Sequence, residues 1–165
     1  GLTTVAVDSY SFDVSALGYI GYSEDVDYSM TEIELGGTLV SPGEERDIKQ
    51  QFAGIAFGKG ELSDSGGSAD LTEFSGGGHI YFDEGGTAIP FLSIWSTISD
   101  LDDSILDPQL GLRFGGGVEF PFGTSAAASL GADYLIPLVD AEDATGLIQA
   151  SADGLAIRLG VRFVL

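Results

Sequence analysis

The sequence predicts an all-β fold, a single eight-stranded antiparallel up-and-down β-barrel of the transmembrane type. The clearest of the observations behind this prediction is the alternation in residues 154–165, where every odd position is apolar and the even positions include Arg158 and Arg162. Successive side chains of a strand point to opposite faces. An apolar outer face opposite a polar interior is typical of a membrane-barrel strand, so we interpret this segment as the closing strand.

Seven earlier segments are also predicted as strands. In the sixth, Leu110, Leu112 and Phe114 share one face, whereas Arg113 and Glu119 share the other. The third has two faces that the pattern does not separate, and the fifth is apolar on both faces. In chain order the seven cover 9–22, 28–40, 48–59, 74–82, 88–98, 109–122 and 126–139. We expect residues 1–8 to be a lead-in and the chain, 1–165, to form one domain.

The connections between these strands are the second observation, because they alternate in character. Short turns on one side of a barrel and longer loops on the other are the layout of a transmembrane barrel. The acidic and mostly long connections are 23–27, 60–72, 99–107 and 140–153, and the turns rich in Gly, Pro, Ser and Thr are 41–47, 83–87 and 123–126.

Composition is the third observation. A formal net charge of −20 excludes a general affinity for nucleic acid, which needs basic patches. The mean hydropathy is nevertheless +0.22, which indicates that acidic and apolar residues are segregated along the chain. No run of residues is long and apolar enough for a transmembrane helix. Cysteine is absent, which excludes disulfides and thiolate metal sites.

Aromatic residues lie near both ends of the predicted strands. Such residues form girdles at the two membrane interfaces of transmembrane barrels. The predicted girdle consists of Tyr10, Phe12, Tyr22, Tyr28, Phe82, Phe91, Phe120, Phe122, Tyr134 and Phe163.

The stretches PQLGLRFGGGVEFPFG at 108–123 and GLAIRLGVRFVL at 154–165 give the chain a family likeness. With them, the chain resembles the eight-stranded outer-membrane β-barrel family, the OmpA/OmpX-like superfamily. The resemblance implies a barrel inserted in a Gram-negative outer membrane, with long loops outside and no open pore.

Charged residues on the faces opposite the apolar ones are expected inside the barrel. An eight-stranded barrel is filled by side chains, and buried charges must be paired. We therefore predict an interior network that plugs the lumen; an ion path lined by the same charges is the alternative. The predicted network consists of Arg113, Arg158, Arg162, Glu32, Glu34, Glu119, Asp13 and Asp133.

For two further candidate sites we prefer a structural interpretation to a functional one. His79, the sole histidine, shares a strand face with Ser75, which suggests a lipid hydrolase. The spacing of these residues does not specify a catalytic triad, however. We therefore prefer the interpretation of His79 as a structural histidine inside the barrel. Asp100, Asp102 and Asp103 lie in the most acidic loop and are candidates for weak divalent-cation binding, although a solvated acidic rim is the preferred interpretation. We predict no cofactor.

The function predicted from the sequence is that of a non-enzymatic outer-membrane barrel with acidic external loops and a structural or surface-interaction role. Outer-membrane lipid is the expected partner. One rival is a self-assembling subunit of an extracellular tube or filament, in which copies of the chain cover the apolar belt. A small channel and a lipid-modifying enzyme that uses His79 are the other rivals.

Overall fold

The computed structural model describes residues 2–16, 20–40, 50–64, 67–82, 86–102, 107–123, 126–145 and 148–163, and it describes side chains for most of them. These residues form strands and the connections between them. The strands are β1 Leu2–Ala16, β2 Ile20–Val40, β3 Gln50–Asp64, β4 Gly67–Tyr81, β5 Ile89–Leu101, β6 Gln109–Pro121, β7 Ala126–Val139, β8 Ala141–Glu142 and β9 Ile148–Phe163.

The strands make one antiparallel sheet that closes on itself. Each strand from β1 to β6 pairs with the next, β7 pairs with β9, and β9 pairs back with β1. The two-residue β8 pairs with the start of β9, beyond the end of β7. Closure gives every long strand among the described residues a partner on both sides, and lipid does not tolerate open sheet edges. The predicted fold class, an eight-stranded up-and-down barrel, is confirmed.

The first strand begins earlier than we predicted. Leu2 pairs with Ile33 of β2 on one side and with Val161 of β9 on the other. The prediction that residues 1–8 are a lead-in was therefore wrong. The physical reason for this pairing is barrel closure. The backbone groups of β9 need hydrogen-bond partners, and the first residues of β1 provide them.

The acidic connections are also shorter than predicted. Residues 23–27, predicted as a loop, belong to β2; residues 23–26 pair with β1, with Ser23 opposite Asp13, and Asp27 pairs with Ser63 of β3. Most of the predicted loop 60–72 is a hairpin, in which Asp64 of β3 pairs with Gly67 of β4. Gly, Ser and Asp have low strand propensity, so these segments resemble loops in sequence, but pairing with a neighbouring strand overrides that preference.

The barrel is polar inside and apolar outside. Eleven polar or charged residues and eleven apolar ones are buried among the described residues, and twenty-three large hydrophobic side chains are exposed. Along β5 the outward positions from Pro90 to Ile98 carry no charge, and the first outward charge is Asp100, near the C-terminal end of the strand. No helix long and apolar enough to cross a membrane occurs in the described part of the chain.

Candidate functional site: the charged interior

The candidate site is a network of charged side chains inside the barrel. The pleat of each strand turns alternate residues inward, and the register brings inward residues of different strands to the same level. The described charged members are Glu32 and Glu34 on β2, Glu73 on β4, Arg113 and Glu119 on β6, Asp133 on β7, and Arg158 and Arg162 on β9.

Arg113 lies at the centre of the network. Its guanidinium donates through Nη2 to Glu32, at 2.8 Å, and through Nη1 to Glu73, at 2.9 Å. Only 4% of its side chain is exposed, so both ion pairs are shielded from water. Ser75 and Ser99 donate further hydrogen bonds to Glu73, at 3.0 and 3.1 Å. The carboxylates around Arg113 are thus held by several donors, as a buried charge requires.

Arg158 connects this centre to the short-turn half of the barrel. Its Nη2 donates to Glu32 and also to Glu34, the latter at 2.8 Å, and its Nη1 donates to Asp133 at 3.0 Å. Glu32 is therefore shared between Arg113 and Arg158, with no exposed surface of its own. Because the two arginines share a carboxylate, removal of either one perturbs the other.

Arg162 forms a more accessible group near the short-turn end. It donates through Nε and Nη2 to the two carboxylate oxygens of Glu119, and 22% of its side chain is exposed. The Tyr81 hydroxyl donates to Glu119 at 3.1 Å, and the Arg162 guanidinium carbon lies 5.4 Å from the Tyr81 ring centre. This geometry combines a bidentate ion pair with a cation–π contact.

Seven of the eight residues predicted for the interior network are among these contacts. Asp13 belongs to β1, but its side chain lies outside the described residues. Sequence analysis missed Glu73, because it lies next to a segment that was interpreted as a loop. The alternation of Glu73, Ser75, His79 and Tyr81 along β4 is the signal that would have found it. That the network plugs the lumen stays a prediction.

His79 is buried beside this network. Its Nε2 lies 3.3 Å from Glu34 Oε2, and its ring packs at 5.0 Å from Phe91 and 5.5 Å from Trp95, in edge-on geometry. No described residue is a hydrogen-bond partner of the His79 Nδ1 atom. Because an ionised carboxylate only accepts hydrogen bonds, the His79 Nε2 atom carries the proton in its contact with Glu34.

A cavity of about 40 Å³ lies beside His79. Its walls combine carboxylates, arginines and aromatic rings, including Glu34, Phe52, His79, Tyr81, Phe91, Glu119, Asp133, Arg158 and Arg162. On this scale one water molecule needs about 10–15 Å³. The cavity therefore has room for a molecule somewhat larger than one water.

Ser75, which we considered as a partner of His79, is not in contact with it. The two residues lie four positions apart on one strand, roughly 13 Å along the chain, and Ser75 bonds to Glu73 instead. The serine directly opposite His79 is Ser93 on β5, whose hydroxyl donates to Asp133 at 2.5 Å. Sequence analysis missed Ser93 because cross-strand register is not visible in the order of residues.

Comparison with known proteins adds a structural likeness. No protein-family model matches the chain, and no curated protein matches it. A solved structure described as the crystal structure of the outer membrane enzyme PagL is similar, with 10% sequence identity and a TM-score of 0.49. The similarity covers 91% of this chain and 97% of that one. At this identity and score it assigns no activity, substrate or residue to the present chain.

The comparison does bear on one of our predictions. We predicted a non-enzymatic barrel with a structural or surface-interaction role; the finding that contradicts this prediction is that the similar structure is described as that of an outer membrane enzyme. A fold hosts many functions, and catalysis depends on its site.

The predicted girdle residues divide into three groups. Phe82, Phe120, Phe122, Tyr134 and Phe163 are exposed on the outer face. Phe91 was assigned wrongly, because it points into the barrel and packs at 5.7 Å from Tyr81. It alternates with the outward residues of β5, a strand that is apolar on both faces. The side chains of Tyr10, Phe12, Tyr22 and Tyr28 lie outside the described ones.

The predicted cation site is only partly described. Thr72 donates to an Asp102 carboxylate oxygen at 3.3 Å, Asp100 is exposed, and Asp103 lies outside the described residues. Within the described ranges, no group of three or more His, Asp or Glu residues is arranged to hold a metal ion. Weak binding of divalent cations at this loop stays a prediction.

Proposed function

We propose that this chain is an integral β-barrel protein of a bacterial outer membrane. The observation that carries the proposal is the reversed polarity of the barrel: among the described side chains, twenty-three large hydrophobic ones are exposed and the ion pairs lie inside. A protein in water has the opposite arrangement, because exposure of apolar surface costs about 25 cal/mol for each Å². Closed barrels with an apolar outer band are the β-structures that span membranes.

The dimensions of the uncharged band support lipid as its partner. On β5 the band extends from Pro90 to Ile98, and Asp100 lies beyond it; on β3 it ends after Phe57, where Lys59 follows. A tilted transmembrane strand needs about 9–11 residues to cross the hydrocarbon layer. Exposed aromatic residues such as Phe82 and Phe122 lie at the short-turn edge of the band, where a membrane interface favours them.

Insertion into lipid tests this proposal. Urea-unfolded protein is diluted into preformed phospholipid vesicles, the vesicles are floated on a density gradient, and the floated fraction is washed with alkaline carbonate. We expect the protein to float, to resist the wash, and to run as a compact, heat-modifiable band on gel electrophoresis. Ordered protein that stays at the bottom of the gradient, or tubes that form without lipid or detergent, would contradict the proposal and favour self-assembly.

A second candidate function, hydrolysis of a small ester, is favoured by the geometry at His79. His79 lines the cavity and Glu34 lies beside its Nε2, so the imidazole is the candidate base that accepts a proton from a water molecule in that cavity. That water attacks the ester carbonyl carbon, the ester C–O bond breaks, and the proton held on His79 passes to the departing alcohol. The acid and the alcohol are the products.

Turnover of a small chromogenic ester tests this second candidate. Refolded protein is assayed with p-nitrophenyl acetate against the His79→Ala variant, and Ser75→Ala is the matched control because Ser75 lies inside but away from His79. We expect loss of at least about 100-fold in rate in the His79 variant, the usual size of a general-base contribution, and little change in the control. Equal rates in all three proteins would exclude catalysis by His79.

A further inference from the structure

Lys59 places a positive charge on the outer face of the barrel. Among the described residues it is the one cation exposed there, because Arg113, Arg158 and Arg162 turn inward to their carboxylates. Lys59 follows the outward residue Phe57 on β3, at the end of the uncharged band. With the band in hydrocarbon, the Lys59 ammonium lies at the level where the lipid headgroups begin.

The ammonium of Lys59 makes no ion pair with a carboxylate of the described residues. Glu61 lies two positions farther along the same face of β3, and Asp100 lies two strands away, across Thr72. The residues directly opposite Lys59 are instead Thr31 on β2 and Thr72 on β4. The charge of Lys59 is therefore available to an anion from outside the chain.

Thr31 adds a hydrogen-bond donor beside this ammonium. It is exposed, and residues directly opposite each other on one face of an antiparallel pair have Cβ atoms about 4.5–5.5 Å apart. An ammonium and a hydroxyl at this spacing can donate to different oxygens of one phosphate group. Thr72, on the other side of Lys59, is half-buried and donates to Asp102 at 3.3 Å, so its hydroxyl is already engaged.

The surface below Lys59 and Thr31 is apolar. The next outward level on β2 to β5 consists of large hydrophobic side chains in register, each 38–57% exposed: Ile33, Phe57, Phe74 and Ile98. The ring centres of Phe57 and Phe74 lie 4.9 Å apart. One level farther, a Cβ added at Gly76 would meet nothing within 4 Å, so the surface has room for a hydrocarbon chain. Phosphate donors directly above hydrocarbon match the order of groups in a phospholipid.

From these observations we infer that the outer face around Lys59 binds one membrane phospholipid through its phosphodiester. The Lys59 ammonium and the Thr31 hydroxyl donate to phosphate oxygens, and the acyl chains lie over Phe57, Phe74 and the open surface at Gly76. Opposite charge selects the phosphate, and the exposed apolar surface selects a lipid over a free phosphate ion. The inference rests on the proposed membrane location, because lipid is present at this face only if the barrel is inserted.

Solid-state NMR of the lysine nitrogen tests the contact directly. Lys49 and Lys59 are the two lysines of the chain, so the Lys49→Gln variant leaves a single ammonium to label with ¹⁵N. In vesicles of phosphatidylcholine and phosphatidylglycerol we expect lipid ³¹P to dephase its signal, since an N–H···O contact to phosphate spans only about 2.8 Å. Inorganic phosphate added to the protein in a phosphate-free detergent should give no such dephasing.

The outcomes of this measurement separate the inference from the membrane location. Protein that floats with the vesicles but shows no ³¹P dephasing overturns the inference and leaves the membrane location standing; this is also the result expected if a second copy covers Lys59. Protein that does not float overturns the membrane location and the inference with it. Dephasing by inorganic phosphate in detergent would assign the site to a free anion, which also overturns the inference.

Spin-labelled lipids separate this site from a general effect of charge. The immobilised fraction of spin-labelled phosphatidylglycerol is compared with that of a spin-labelled diacylglycerol of the same chains. We expect Lys59→Gln to lower the preference for phosphatidylglycerol about fivefold, the contribution of one lysine at an anionic lipid surface, and Lys59→Arg to keep it. Lys49→Gln changes the net charge equally and is the matched control, which should keep the preference. Equal losses in Lys59→Gln and Lys49→Gln, or no loss in Lys59→Gln, would overturn the inference.

Discussion

The outer face and the interior of this barrel are built from the same strands with opposite chemistry. On β5 the outward residues include Leu92, Ile94 and Ile98, whereas the inward ones include Ser93 and Thr97 beside the buried Trp95. On β9 the contrast is stronger, because apolar outward residues alternate with Arg158 and Arg162. A period of two along each strand therefore separates a face suited to lipid from a face held by ion pairs.

This difference between the two faces indicates which positions tolerate substitution. The outer face needs only to be apolar, so its residues are interchangeable as long as hydrophobicity is kept. The interior depends on particular pairs, such as Arg113 with Glu32 and Glu73, because each buried charge must meet its own partner. Substitutions should therefore have effects that depend on the face and not on the exposure of the residue alone.

The largest loss of stability is expected from a substitution inside the barrel. Arg113→Met removes the guanidinium and leaves Glu32 and Glu73 buried with fewer donors, so the free energy of unfolding should fall by about 3–5 kcal/mol. The measurement is reversible urea unfolding from lipid vesicles, followed by the fluorescence of Trp95, the sole tryptophan and fully buried. Lys59→Met, an exposed cation on the outer face, is the matched control and should change stability by less than about 0.5 kcal/mol. Equal losses in both variants would show that the interior pairs are not specific.

The next effect concerns the outer face. Ile94→Lys places a charge in the middle of the uncharged band, where lipid should make it cost about 2–4 kcal/mol. Thr72→Lys, beyond the band and opposite Asp100, should cost no more than about 1 kcal/mol. Both values come from the same unfolding experiment in vesicles. If the two lysines cost the same, the band does not face hydrocarbon.

Two adjacent glycines on β4 test how closely this strand packs against β5. A Cβ added to Gly77 would lie 2.1 Å from the Ile94 carbonyl oxygen, whereas one added to Gly76 would meet nothing within 4 Å. Gly77→Ala should therefore destabilise the barrel by about 1–3 kcal/mol through overpacking, and Gly76→Ala should be nearly neutral. The reverse order of stabilities would mean that the register of β4 against β5 is wrong.

The smallest effect belongs to Tyr134 at the outer face. Its hydroxyl donates to Asp153 at 2.8 Å in an exposed position, so Tyr134→Phe should lower stability far less than Arg113→Met does. A loss close to that of Arg113→Met would show that surface hydrogen bonds rival the interior network. The same vesicle unfolding assay gives both numbers.

Much of this architecture is readable in the sequence because the period-two pattern reports the faces of strands directly. Arg113, Glu119, Arg158 and Arg162 were assigned inward on this ground, and the structure has them inside. The pattern does not fix where strands end. Residues 23–27 resemble a loop by composition but are held in β2 by their pairing with β1 and β3.

Contacts between strands were beyond the reach of the sequence. Alternation shows that Glu34 and His79 both face inward, but only the register of β2, β3 and β4 brings them to 3.3 Å. Ser93 and Phe91 illustrate the same limit, because β5 is apolar enough on both faces to hide which residues turn inward. Long-range pairing therefore determines the site, while local pattern determines the faces.

The central claim is that the outer face contacts lipid, and spin labelling along β5 tests it most directly. The chain has no cysteine, so single cysteines can be placed at positions 92 to 98 and labelled with a nitroxide in vesicles. The account predicts that labels at 92, 94, 96 and 98 are accessible to oxygen but not to a water-soluble nickel complex, and that labels at 93, 95 and 97 are shielded from oxygen. Outward labels that meet the nickel complex, or that are immobilised against neighbouring copies, would contradict it.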